Sequence, residues 1–221
     1  MTDVQPYPAY TRAERIADGV IHFAGVAVSM LAVPVLITLV AIWHGDVPNV
    51  TAVSIYGVSL IAMFSISAAY HIGGNWRWRD VLRRLDHSVI YILIAGTYTP
   101  FSIYAGGEGA VWILIGIWTA AATGVSLQFL AYRKLEWLAI VLYLGMGWSI
   151  VLFGGPILSA LSTATIVLIA TGGMLYTLGV AFHLWHRLPF HNAIWHGFVL
   201  AASFVFYAAI LVESRVVALA G

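Results

Sequence analysis

Eight ionisable side chains stand close to or inside long apolar stretches of this chain: His22, His71, Asp86, His87, His183, His186, His191 and His196. Ionisable groups at such places are costly to bury and tend to mark function. Ser67 and His71, in SISAAYH, are four residues apart, as are Asn192 and His196, in HNAIWH. On a helix each pair shares one face. Neutral imidazole is the commonest zinc ligand, and a working zinc site usually keeps three protein ligands and a water. A carboxylate such as Asp86 can hold or deprotonate that water, which histidine-held zinc acidifies towards neutrality. The pattern therefore points to a metal site in which Asp86 could hold or deprotonate a bound water.

Taken singly, each residue has a simpler reading. A histidine at a membrane surface is solvated by headgroups and water, and this suits His44, His87 and His186 best. Asp86 follows Arg83 and Arg84, so a helix N-cap or a surface ion pair would also account for it. Ser67 is small enough to let two helices approach closely. What favours a site is the depth these residues share, and that depends on the elements that carry them.

Hydrophobic side chains make up 62% of the 221 residues and Asp, Glu, Lys and Arg only 9%, against about 25% charged residues in an ordinary soluble domain. Seven long, nearly uncharged runs, at residues 19–43, 50–70, 88–107, 110–131, 137–153, 156–182 and 193–212, read as membrane-spanning helices. Backbone groups cannot stay unpaired in hydrocarbon, so such runs must be helical. Pro34 and Pro100 are candidate kinks. The expected architecture is all-α: one seven-helix domain over residues 1–221, preceded by a polar segment, 1–18, with no signal-peptide pattern.

The loops orient the bundle. With seven spans, Arg12, Arg15, Arg77, Arg79, Arg83, Arg84, Arg133, Lys134 and Arg187 fall on one side, and Arg215 alone falls on the other. The positive-inside rule then predicts a cytoplasmic N-terminus and an external C-terminus. In that frame His22, His71, Asp86, His183 and His196 all sit at cytoplasmic helix ends, and His44 sits at the opposite end. Tryptophans and tyrosines near the span ends read as interfacial anchors. The absence of cysteine excludes disulfides and thiolate ligands. A net charge of +1 gives no general attraction to nucleic acid.

Four motifs in order resemble the hemolysin III family, the bacterial branch of the progestin and adipoQ receptors, in a superfamily that includes alkaline ceramidases. They are ERIADGVIHFAGV, with Glu14, His22 and Gly25 in register, SISAAYH, LDHSVIYILIAGTYTPF and LPFHNAIWHGFVLAAS. The resemblance covers nearly the whole chain. It implies a seven-helix bundle, in a bacterial plasma membrane, with zinc near the cytoplasmic face. It carries ligand roles onto His71 and His196, a serine onto Ser67, and onto Asp86 an aspartate that contacts zinc directly or through water. The family's last-span pair is His-xxx-His, and here its first member is Asn192, with His191 beside it. Either His191 reaches in from a preceding loop, or the site consists of two histidines, an aspartate and an asparagine carbonyl. His22 and His183 stand at the same depth as substitutes.

Three functions follow from the resemblance. The first is a zinc hydrolase acting on the amide or ester bond of a membrane lipid, with Asp86 as base and Ser67 as an oxyanion or water contact. The second is a channel or pore-forming hemolysin. The third is a receptor or regulator of membrane lipid composition, in which the metal is structural.

Overall fold

The computed structural model describes residues 10–73, 77–130 and 136–220. Among these the regular structure is entirely helical. Helix α1 (Arg12–Trp43) opens on a capping box: the Thr11 hydroxyl accepts from the Glu14 N–H, and the Glu14 carboxylate accepts from the Thr11 N–H at 2.8 Å. The helix therefore starts well before the apolar run at residue 19, because the cap and not hydropathy sets its first turn. Asp46 caps α2 (Val47–Ile72) by accepting from the Asn49 N–H at 2.8 Å. Helix α3 (Arg79–Ala105) also begins earlier than its apolar run. Asp86 is consequently two turns inside α3, which removes the N-cap reading.

Gly106 and Gly107 both take left-handed backbone, with φ of 63° and 75°. They allow α4 (Gly107–Leu130) to reverse directly out of α3. After α5 (Glu136–Phe153) the sixth expected span, 156–182, divides in two. Pro156 starts the single turn α6 (Gly155–Leu158), and Ser162 then caps α7 (Thr163–Leu184). Helix α8 (His191–Ala220) completes the fold.

Helix α1 packs against α2 and α8, α3 against α2 and α4, and α7 against α8. Helix α3 also touches α5, α6 and α8, and it is the most buried of the long helices. The core runs through Leu36, Val53, Tyr56, Leu60, Tyr91, Phe101 and Ile210, all essentially inaccessible. Large apolar side chains also point outward, among them Phe23, Leu31, Ile42 and Leu130. A water-soluble protein rarely exposes such a surface, whereas lipid requires it. Six helices are long and apolar enough to cross a bilayer, and Trp137–Phe153 is a shorter apolar helix. The protein is a polytopic helical membrane bundle.

Buried polar groups tie the helices together. The Tyr98 hydroxyl donates to the Met146 carbonyl and accepts from the Ile150 N–H, each at 2.9 Å. These are two groups that an α-helix ordinarily pairs with each other. At the end of the bundle where α1 finishes, the buried Glu213 accepts from the Ser162 N–H at 3.1 Å and its hydroxyl at 2.8 Å. His44 Nε2 meets the Ser214 carbonyl at 2.8 Å in the same region. The functional side chains lie at the opposite end.

Candidate metal centre

The first turns of α1 carry Glu14, Asp18 and His22 at intervals of four, on one face. The last turn of α2 carries His71, and the second turn of α8 carries His196. The first turns of α1 and α8 are laced together. Phe190, just ahead of α8, has φ of 61°, and its N–H donates to Glu14 Oε1 at 2.9 Å. That fixes α8 opposite α1 at the level of Asp18.

Asp18, His22, His71 and His196 converge, with one donor atom from each lying within 4.8 Å of the others. His196 Nδ1 is 2.6 Å from Asp18 Oδ1. Asp18 Oδ2 faces His71 Nδ1 at 3.5 Å and His22 Nε2 at 3.6 Å. The His22 and His71 rings stack with centroids 4.8 Å apart, and His196 stands 4.3 and 4.5 Å from them. His22 is 3% exposed and His196 8%, so this is a cluster largely withdrawn from solvent. His22 Nε2 is buried with no hydrogen-bond partner. An unmet buried polar atom costs about 1–3 kcal/mol, and a ring nitrogen aimed at two other imidazoles and a carboxylate is a donor poised for a cation. The residues fit a metal of zinc's type: three borderline nitrogen donors and one oxygen.

Of the residues singled out in the sequence, His71 and His196 enter this cluster. Asp86 is buried beside it, with Oδ2 3.9 Å from His71 Nε2 and 3.7 Å from His87 Nδ1. His71 thus turns one ring nitrogen to Asp18 and the other to Asp86, the arrangement in which an outer carboxylate orients a ligating imidazole. Ser67 is buried one turn before His71 on the same face of α2. Asn192 shares a face with His196 but does not offer its oxygen: its Nδ2 donates to Asp18 Oδ2 at 3.3 Å. His191 opens α8 and turns elsewhere, its ring 5.5 Å from that of His186 and 6.0 Å from that of Tyr10. Burial and the carboxylates of Asp18 and Glu14 push the Tyr10 phenol above its ordinary pKa. Of the two substitutes at this depth, His22 belongs to the cluster. His183 lies against Trp195, 5.3 Å between ring centroids.

Asp18 is the member that the sequence reading missed, because it fell in the polar segment assigned before the first span. The signal was available: Asp18 and His22 have the same four-residue spacing as Ser67 and His71.

The Haemolysin-III related family matches residues 10–207. The chain belongs to that family. It is 34% identical over 205 residues to the Hemolysin-3 homolog of Bacillus subtilis (strain 168), covering 91% of this chain and 95% of the relative. It is 36% identical over 201 residues to Hemolysin-3 of Bacillus cereus, covering 90% of each. Similarity extends to the human Monocyte to macrophage differentiation factor, 36% identical over 165 residues, covering 71% of this chain and 67% of the relative. The haemolysin-III match spans α1 to most of α8, so it takes in every member of the cluster.

Proposed function

We propose that this haemolysin-III-related chain is a zinc-dependent membrane hydrolase acting on an amide or ester bond of a lipid. His22, His71 and His196 are its metal donors, Asp18 is the carboxylate that orients His196, and Asp86 is its general base. The observation that carries this reading is the convergence of three imidazoles and a carboxylate from α1, α2 and α8. Zinc bound there supplies Lewis acidity and an acidified water. Beside His71 Nε2, Asp86 takes up the proton of the attacking water and keeps the imidazole oriented. Ser67, one turn back on α2, hydrogen-bonds the developing oxyanion. The centre lies at helix ends, next to outward apolar faces such as that carrying Phe23. An acyl chain can therefore lie along the bundle while its polar head reaches the histidines.

A second reading rests on Asp18. Four protein donors close a tetrahedral zinc site and make it structural, whereas three donors leave a position open. If Asp18 is a permanent ligand, the metal holds α1, α2 and α8 together and the protein is a receptor or regulator of membrane lipid composition. If Asp18 instead orients His196 through their 2.6 Å contact, three imidazoles remain around an open position.

The same proposal places one seven-helix domain over residues 1–221 in the bacterial plasma membrane, with the centre facing the cytoplasm. Trp137–Phe153 supplies the seventh crossing. Helix α5, at 18 residues, is about 27 Å long, and a bilayer thins locally to accept such a helix. Basic residues collect near the centre's end of the bundle, as the positive-inside rule asks.

Elemental mass spectrometry on detergent-purified protein, joined to a screen of lipid amides and esters, tests the reading. About one zinc per chain is expected, lost in both His71→Ala and His196→Ala. Asp86→Asn should keep the metal and lose turnover. Bound zinc without turnover of any lipid would hand the conclusion to the structural reading, and a metal-free parent protein would remove both.

A further inference from the structure

Asp18 is surrounded by nitrogen. Oδ1 meets His196 Nδ1 at 2.6 Å, and Oδ2 faces Asn192 Nδ2 at 3.3 Å, His71 Nδ1 at 3.5 Å and His22 Nε2 at 3.6 Å. These contacts differ in kind. A neutral imidazole nitrogen either carries a proton or presents a lone pair, and a nitrogen that turns its lone pair to a metal can no longer donate to the carboxylate. The side-chain amide of Asn192 has no such choice. Its nitrogen donates in every state, and because an ionised carboxylate only accepts, the amide must present that nitrogen to Asp18. Asn192 therefore keeps its hold on Asp18 whichever ring nitrogens turn to the metal.

We propose that Asn192 is the positioning residue of the centre, its amide fixing the plane of the Asp18 carboxylate against His196 and the metal. The inference rests on the metal-centre reading. It assigns Asn192 a donor's part, not the carbonyl ligand's part that the sequence allowed. The backbone supports it. Asn192 and His196 share a face of α8, and the Phe190 N–H bond to Glu14 pins the turn that carries Asn192 against the turn of α1 that carries Asp18. Outer partners of this kind typically alter metal affinity by roughly 10–100-fold when removed.

The test uses the full chain in detergent. Zinc affinity is measured by competition with a chelator, and the ligand set is read from the visible spectrum of the cobalt-loaded protein. Asn192→Leu keeps the branched shape and removes the donor; Asn192→Ala removes the donor with the residue a helix tolerates best. Both are expected to bind zinc roughly 10–100-fold more weakly and to shift the cobalt spectrum. Asn192→His restores an N–H at the same place and should bind at least as well as the parent. His191→Leu, in the same turn but facing His186 and Tyr10, should change neither reading. If either donor-less variant matches the parent in affinity and spectrum, the role of Asn192 is overturned while the metal centre stands. Equal weakening by His191→Leu would assign the effect to the helix turn and also overturn it. A parent that binds neither zinc nor cobalt would overturn the centre itself.

Discussion

Each donor in the cluster is a residue that the bilayer makes expensive, and the expense is shared through contacts. Asp18 is an isolated acid in the sequence, yet in the fold it lies within 3.6 Å of three imidazole nitrogens. Removing it leaves those rings without the carboxylate that orients them. Asp18→Ala is therefore expected to weaken zinc binding by roughly 10–100-fold, the range for loss of an orienting partner. A chelator titration of the purified variant measures this, and parent-like affinity would show that Asp18 takes no part. The neighbouring histidines are not equivalent. His191 and His183 contact aromatic rings outside the cluster, so His183→Ala should leave zinc stoichiometry unchanged.

At the scale of elements, the site depends on how closely α1, α2, α3 and α8 approach. Helix α2 carries His71 and α3 carries Asp86, and the two are set by the contact between Gly96 and Ser59. A Cβ at position 96 would collide with the Ser59 hydroxyl. That hydroxyl is itself committed, donating to the Tyr56 carbonyl at 2.7 Å. Small residues at helix crossings allow this approach in membranes. Gly96→Ala is expected to cost about 1–3 kcal/mol, the range for overpacking a tight core. Thermal unfolding in detergent would register the loss, and Ser59→Gly in the same chain should recover part of it. An unchanged midpoint in Gly96→Ala would mean that α2 and α3 are not in close contact there.

At the scale of the whole molecule, two polar regions occupy opposite ends of an apolar bundle. One holds Asp18, His22, His71, Asp86 and His196; the other holds His44, Glu213 and Ser214. The proposed orientation puts the first in the cytoplasm and the second outside. Because the chain has no cysteine, single cysteines can be introduced without background. A cysteine at Arg187 should react with an impermeant thiol reagent only after cells are opened, and one at Asp46 should react in intact cells. The reverse pattern would invert the topology. Labelling of both positions from one side would require an even number of crossings between them.

The sequence by itself determined the membrane class, the helical content and the family, because each is written in local composition or in ordered motifs. A run of twenty apolar residues has few physical alternatives in lipid. It also marked His71, His196 and Asp86 as sharing one end of the bundle, since alternating loop charge assigns ends without any knowledge of packing. It misjudged the starts of α1 and α3, where a capping box and polar first turns extend the helix beyond the apolar run, and it read as one span what Pro156 and Ser162 divide into α6 and α7. Only the tertiary structure decided which polar residues touch. Asp18 enters the cluster, His191 turns from it, and Asn192 donates a hydrogen bond to a carboxylate. Those outcomes depend on the rotation of α1 and α8 about their own axes, and that rotation is set by the packing of the helices and by the Glu14 bond to the Phe190 N–H. No spacing within one helix encodes the angle at which it meets another.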